Sequence, residues 1–234
     1  MTPWLRSLVL HGAATLPQVP QAVAYLEGRG VPLALAQSHG IGWVPDETPC
    51  PDGSGPEFTI WQRKFLRSRL VFPITDGLGR VIGLQTRRLD EKVYRTYYAV
   101  SRDIYPPAFG LASSMPHIFE TGHCVLVEGP FDYFAVRAAG ATTALALLTG
   151  TPSRALLALL RRYVTHVVAL LDMDEPGRHG VARLTQELTP RGMTVAAPSY
   201  PAHDPGDFWN TPLGKRMLPQ WVQVDDLARA LRFG

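Results

Sequence analysis

The chain has 234 residues, 46% hydrophobic and 18% charged, with a net charge of +3, which suits one large or two small globular cores. No apolar run approaches the roughly 20 residues of a spanning helix, and Met1 to Arg6 lacks the layout of a secretory signal. A cytoplasmic protein with no membrane partner is therefore the expectation.

In chain order, the first 20 residues are apolar, carry Pro17 and Pro20, and predict a short docking helix. From Pro20 to Gly30 the apolar spacing and the terminal Gly28 and Gly30 predict a short amphipathic helix. Pro32 to His39 predicts a second one, closed by Gly40. A loop rich in proline, glycine and acid follows from Pro45 to Glu57.

Residues Arg69 to Arg88 place two strand-like runs around Asp76-Gly77, a strong hairpin signal, and Tyr94 to Val100 can add a third strand. From Arg63 to Arg95 there are nine basic residues (Arg63, Lys64, Arg67, Arg69, Arg80, Arg87, Arg88, Lys92, Arg95) and three acidic ones (Asp76, Asp90, Glu91). That local +6 leaves the remainder at −3. Such a segment suits phosphate neutralisation, and a solvated surface hairpin is an equally open reading. Tyr94, Tyr97 and Tyr98 offer faces on which bases can stack, although packing is the commoner role of strand aromatics. Ser101 to Pro116 reads as an extended linker ending near Phe109-Gly110-Leu111.

The second half alternates. Strands are predicted at Cys124–Val127, Thr142–Leu147, His166–Leu171 and Met193–Ala197, and helices at Phe131–Ala139, Pro152–Tyr163 and Pro176–Leu188, with Pro152 and Pro176 at first helical positions. Val224 to Phe233 predicts a terminal helix. Cys50 and Cys124 stand far apart, outside any Cys-x-x-Cys pair, so neither a disulfide framework nor a cysteine zinc site is supported.

Three acidic clusters follow the apolar runs: Glu128 with Asp132, Asp172 with Asp174, and Asp204 with Asp207. In a parallel sheet the loops after the strands share one edge, where ligands of open α/β sheets bind. Oxygen-only clusters, with no histidine or cysteine at ligand spacing, suit Mg²⁺ or Mn²⁺. A two-ion arrangement would support phosphoryl transfer. Asp174 and Glu175 also fit as first-turn complements to a helix dipole, and receiver-type or nucleotide-binding α/β domains place acids similarly.

Val127-Glu-Gly-Pro-Phe-Asp132, Leu171-Asp-Met-Asp-Glu-Pro-Gly-Arg178 and His203-Asp-Pro-Gly-Asp-Phe208 resemble the three motifs of the Toprim domain of bacterial DnaG-type primases. Tyr25-Leu-Glu-Gly-Arg-Gly30, Gly40-Ile-Gly-Trp-Val-Pro45 and the Arg69 to Arg88 hairpin are similar to the amino-terminal half of the same core. The likeness runs over roughly residues 22 to 208 in the family's order. It implies an α/β fold: a Toprim domain, Rossmann-like with a mainly parallel sheet, over residues 121–212. A basic amino-terminal α+β subdomain would span 1–120 and a helical tail 213–234.

The resemblance further implies Glu128 as the acid/base or metal-organising glutamate, with Asp172 and Asp174 catalytic. Glu128, Asp132, Asp172, Asp174, Asp204 and Asp207 would form the metal site, with Asp132 in a supporting place. Arg69, Arg87, Arg88, Lys92 and Arg95 would meet template or nucleotide phosphates. Where the family commonly carries lysine this chain has His203, and Gly206 stands where many members have a second aspartate. Val93 takes the place of the usual lysine before the tyrosine.

The implied function is a DNA primase in compact form, without zinc-binding and helicase-binding domains. It would join ribonucleoside triphosphates on single-stranded DNA with Mg²⁺ or Mn²⁺, in the cytoplasm, at the nucleoid or in a host cell. A replicative helicase or a separate zinc-containing protein would be partners. A Toprim nuclease and a noncatalytic single-stranded nucleic-acid-binding module are the alternatives.

Overall fold

The computed structural model describes residues 3–46 and 66–223. Most of the loop predicted from Pro45 to Glu57, Cys50, Arg63, Lys64 and the helix predicted from Val224 to Phe233 lie outside the described residues. The described chain divides into two compact units. One takes the residues up to Thr75 and Arg80–Ser101, the other Asp76–Gly79 and the residues from Arg102 on.

The first unit opens with helices α1 (Pro3–Thr15), α2 (Pro20–Gly28) and α3 (Leu33–Ser38), the three that the sequence predicts. α2 stops where Gly30 adopts φ +74 and the Val31 N–H returns to the Leu26 carbonyl at 2.9 Å, the left-handed exit that glycine permits. Helices this short are marginal alone and depend on burying one face. Leu5, Leu8 and Val9 of α1 do so against Val44, Leu66, Val71 and Leu84, at about 1.5–3 kcal/mol for each fully buried aliphatic side chain.

An antiparallel sheet runs β1 (Gly42–Val44), β2 (Arg69–Thr75), β3 (Val81–Arg87), β4 (Tyr94–Tyr98) in that order. A Cβ at Gly42 would lie 2.4 Å from the Gly12 carbonyl carbon, so glycine is what lets α1 lie directly on β1. β2 is an inner strand that contains Pro73, but β1 pairs only with Arg69 to Val71. The missing N–H therefore falls beyond the short neighbour's end, where proline is tolerated. The predicted hairpin forms with a turn in which Asp76 Oδ1 accepts the Leu78 N–H at 3.0 Å and its carbonyl accepts the Gly79 N–H at 3.0 Å.

The second unit is built on four parallel strands in the order β6 (Ala144–Ala146), β5 (His123–Val127), β7 (His166–Ala169), β8 (Thr194–Ala196). The two central strands, β5 and β7, are almost wholly buried, as expected of strands with both faces covered. Helices α4 (Leu111–Thr121), α5 (Pro130–Ala138), α6 (Arg154–Tyr163), α7 (Glu175–Leu188), α8 (Pro205–Trp209) and α9 (Pro212–Val222) accompany them. Leu126, Leu145, Val167, Leu156, Leu160 and Leu184 meet in the main core. Cys124 is a free, buried thiol within it.

Several predicted elements shift. The extended linker from Ser101 to Pro116 gives way at Leu111 to α4, which runs through Pro116 and buries Leu111, Ser114, Met115 and Ile118. That burial outweighs the hydrogen bond that proline removes. Pro152 precedes α6 rather than starting it, because Ser153 is the cap and accepts the Leu156 N–H. Pro176 is the second helical residue of α7, after Glu175. α8 is additional, whereas α9 falls within the segment expected as a helical tail from residue 213. Among the described residues no helix is long and apolar enough to cross a membrane.

Candidate metal centre

Because the strands of the second unit are parallel, their carboxyl ends open on one edge. Glu128 directly follows β5, Asp172 lies three residues beyond β7, and Asp204 caps α8 after β8. The Glu128 Oε1 accepts the Asp172 N–H at 3.2 Å, tying the first acidic loop to the second. The Met173 N–H donates to the His203 carbonyl at 2.8 Å, tying the second to the third. Asp132 closes the ring: its Oδ2 accepts the Gly129 N–H at 3.1 Å and its Oδ1 accepts the Gly206 N–H at 3.2 Å.

Local geometry fixes the two aspartates of the second loop. Asp174 caps α7, its Oδ1 accepting the Gly177 N–H at 2.8 Å, so it does serve the helix terminus. A Cβ at Gly177 would stand 1.9 Å from the Asp172 carbonyl oxygen. Only a residue without a side chain lets the loop fold back over the start of α7. Asp204 likewise caps α8 through Asp207, whose N–H lies 2.6 Å from the Asp204 Oδ1. The Asp207 side chain is exposed. At Gly206 a Cβ would come within 3.2 Å of Asp204 Oδ1 and 3.3 Å of Asp132 Oδ1, so a larger side chain there crowds both acids.

Gathering acids in a partly dry pocket raises their affinity for protons. Burial, with the nearby Asp204 and Asp172, pushes Asp132 up to about 8. Burial, then Glu128 and Asp204, pushes Asp172 up to about 7. Glu128 is raised as well, first by burial and then by Asp174, against the opposing hydrogen bond from the Asp172 N–H.

Asp172, Asp174 and His203 bring one ligand atom each to within 4.8 Å of one another. The His203 Nδ1 lies 3.9 Å from the Asp172 Oδ2, and the Asp172 Oδ1 is buried without a hydrogen-bond partner. Buried polar atoms are almost always satisfied. A buried carboxylate oxygen without a partner, on a residue clustered with Asp174 and His203, therefore fits a divalent cation, and the donor set accommodates one. This arrangement corrects the expectation of an oxygen-only cluster without histidine at ligand spacing. In the linear chain His203 is 29 positions from Asp174, and bonds between the two loops, Met173 N–H to the His203 carbonyl and the Tyr200 hydroxyl to the Leu171 carbonyl at 2.7 Å, bring it alongside. Both oxygens of Asp132, in contrast, face backbone donors.

The predicted phosphate-contacting residues occupy varied surroundings in the first unit. Arg69 and Arg87 are 5% exposed. Arg87 stacks over Tyr94 at 4.8 Å and Tyr25 at 5.8 Å. Arg69 is held below the usual guanidinium range by burial and by Arg95, with Glu91 4.0 Å away. Arg88 is engaged by Asp90 through two hydrogen bonds of 2.8 Å. Lys92 is exposed and Arg95 lies opposite Thr86 on β4.

Residues 125–209 match the family model described as Toprim-like. The DNA primase of Aquifex aeolicus (strain VF5) is 26% identical over 209 residues, which cover 80% of this chain and 42% of the relative. The chain thus spans less than half the length of that curated relative. A solved structure of the zinc-binding and RNA polymerase domains of the Aquifex aeolicus primase superposes with a TM-score of 0.75 at 24% identity, covering 93% of this chain and 59% of that one. A DnaG primase catalytic domain bound to single-stranded DNA superposes with a TM-score of 0.76 at 22% identity, covering 98% of this chain and 81% of that one. The parallel-sheet unit has the Toprim fold, and the chain resembles the catalytic core of DnaG-type primases.

Proposed function

We propose that this chain is the catalytic core of a DNA primase, a nucleotidyltransferase that joins ribonucleoside triphosphates into short RNA primers on a single-stranded DNA template. The observation that carries this reading is the cluster of Asp172, Asp174 and His203 at the carboxyl edge of the parallel sheet, with Glu128 bonded to the Asp172 N–H and an Asp172 oxygen buried and unpartnered. The similarity to primases, one of them solved with single-stranded DNA, supports the polymerase assignment and the template.

Asp172 and Asp174 would hold the first divalent cation, Mg²⁺ or Mn²⁺, and Asp204 a second, with Glu128 beside them. Ions held there would supply Lewis-acid activation of the primer 3′ hydroxyl and charge neutralisation for the departing pyrophosphate. The protein's own part is mostly positioning. Glu128 spends Oε1 on the Asp172 N–H, and its Oε2 would accept the 3′ hydroxyl proton, a task that its raised proton affinity suits. Asp132 holds the first and third acidic loops at a fixed separation through its two backbone bonds. Asp207 donates its N–H to Asp204 and so sets the direction of that carboxylate. Arg69, Arg87, Arg88, Lys92 and Arg95 would neutralise template and triphosphate charge.

The test is primer synthesis on single-stranded templates with all four ribonucleotides and Mn²⁺ or Mg²⁺, with products sized on a gel. Asp172→Ala and Asp174→Ala are expected to abolish synthesis while single-stranded DNA binding persists. Synthesis retained by either variant overturns the assignment.

A further inference from the structure

The histidine beside the acidic pair alters the chemistry of the site. Aspartate oxygens and water suit Mg²⁺, which keeps near-octahedral oxygen coordination and loses water reluctantly. An imidazole nitrogen is a softer donor, and first-row transition ions gain more from it than Mg²⁺ does. His203 is placed to supply that nitrogen. Its backbone is anchored by the Met173 N–H, and its ring stands with Asp172 and Asp174 inside the 4.8 Å cluster. The ring is 61% exposed and its Nδ1 makes only a long, 3.9 Å approach to Asp172, so it can turn onto an ion without breaking a packed core. The next residue, Asp204, is fixed by its cap, and Gly206 by Asp132. The loop that carries His203 is therefore anchored on both sides of the ring.

We propose that His203 is a direct ligand of the Asp172–Asp174 ion, making the site mixed nitrogen and oxygen and selective for a first-row transition cation over Mg²⁺. The inference rests on the metal-dependent reading given above and deepens it by naming the class of ion.

The experiment uses the full chain and metal alone. Co²⁺ binding is followed by titration, Mg²⁺ affinity by competition against Mn²⁺, and the Mn²⁺-loaded protein is studied by pulsed electron paramagnetic resonance for nitrogen-14 coupling. Wild type should show a directly coordinated nitrogen that His203→Ala and His203→Lys lose. Both variants should weaken Co²⁺ by at least roughly tenfold, the scale on which groups supporting a bound metal act. Mg²⁺ affinity should fall much less in His203→Ala. Absence of nitrogen coupling in wild type, or Co²⁺ affinity unchanged in His203→Ala, overturns the proposal. Asp172→Asn separates the two levels of inference. If it loses Co²⁺ while His203→Ala does not, only the role of His203 fails; if it binds Co²⁺ as wild type does, the metal centre itself fails.

Discussion

The carboxylate of Asp132, on the first turn of α5, accepts the Gly206 N–H at 3.2 Å across 74 positions of sequence. Its other oxygen accepts the Gly129 N–H of its own loop. The acid therefore acts as a brace between the first and third acidic loops.

Removing that brace should cost stability before it costs chemistry. Asp132→Ala leaves two half-buried N–H groups without their acceptor, and a loss of roughly 1–3 kcal/mol is expected from that alone. Relief of the acid's burial works in the other direction, and the unsatisfied donors should outweigh it. Asp132→Asn is not a gentle substitute, because its amide NH₂ must face one of the two N–H donors. Urea denaturation of the metal-free chain checks this, and unchanged stability in Asp132→Ala would contradict the bracing role.

Gly177→Ala should be far more damaging than its size suggests. The added carbon would sit 1.9 Å from the Asp172 carbonyl oxygen, so the loop carrying Asp172 and Asp174 must move. Overpacking of this kind costs about 1–3 kcal/mol and should also weaken divalent-ion binding. Gly28→Ala is the control. Nothing lies within 4 Å of its added carbon, and that site is at the end of α2. There the change should be neutral or slightly stabilising. Thermal denaturation of both variants, with and without Mn²⁺, makes the comparison.

The strands and most helices of the second unit were legible because buried strands leave unbroken apolar runs and the acids fall where those runs stop. α4 was not, although Leu111, Met115 and Ile118 keep helical spacing. Pro116 reads as a break, and only packing reveals that Leu111 and Ile118 are wholly buried. His203 was visible as a residue but not as a donor. Its approach to Asp172 depends on a backbone bond between two loops, and neither loop has a periodic pattern. The converse holds for Asp132, whose place among the acids suggests a ligand while its two backbone partners make it a brace. Burial of Arg69 and Arg87 was equally hidden, since charge counts do not say which arginines a sheet covers.

His123 makes stability pH-dependent in a definite direction. Burial, and secondarily the neighbouring His166, lowers it to about 4 from the ordinary 6.5, while its Nδ1 pairs with the Thr143 Oγ1 at 2.9 Å. The unfolded chain therefore takes up a proton first as pH falls. Stability from this group is complete above about 6.5 and is lost between there and about 4. The acids of the metal centre titrate in the opposite sense, so the contribution must be read as a difference. The gap in unfolding free energy between wild type and His123→Phe should move in favour of the variant by up to about 3 kcal/mol over that window. A gap that does not change with pH would rule the effect out.

Arg88 is the phosphate candidate whose partner competes most directly with nucleic acid. Asp90 holds it by two bonds of 2.8 Å, with Glu91 a further 3.7 Å away, and the arginine is 40% exposed. A nucleic-acid phosphate must displace that carboxylate to gain the same bidentate contact. Exposed pairs contribute little to stability, so Asp90→Asn should leave the fold intact while freeing Arg88 and removing a repelling charge. Single-stranded DNA affinity should then rise, and the slope of log affinity against log salt should steepen by about 0.7, the increment expected for one additional phosphate on a single strand. Arg88→Ala combined with Asp90→Asn should cancel the steepening. If Asp90→Asn tightens binding without changing the slope, or leaves affinity untouched, Arg88 does not contact the backbone, and the positive surface must be sought at Lys92 and Arg95.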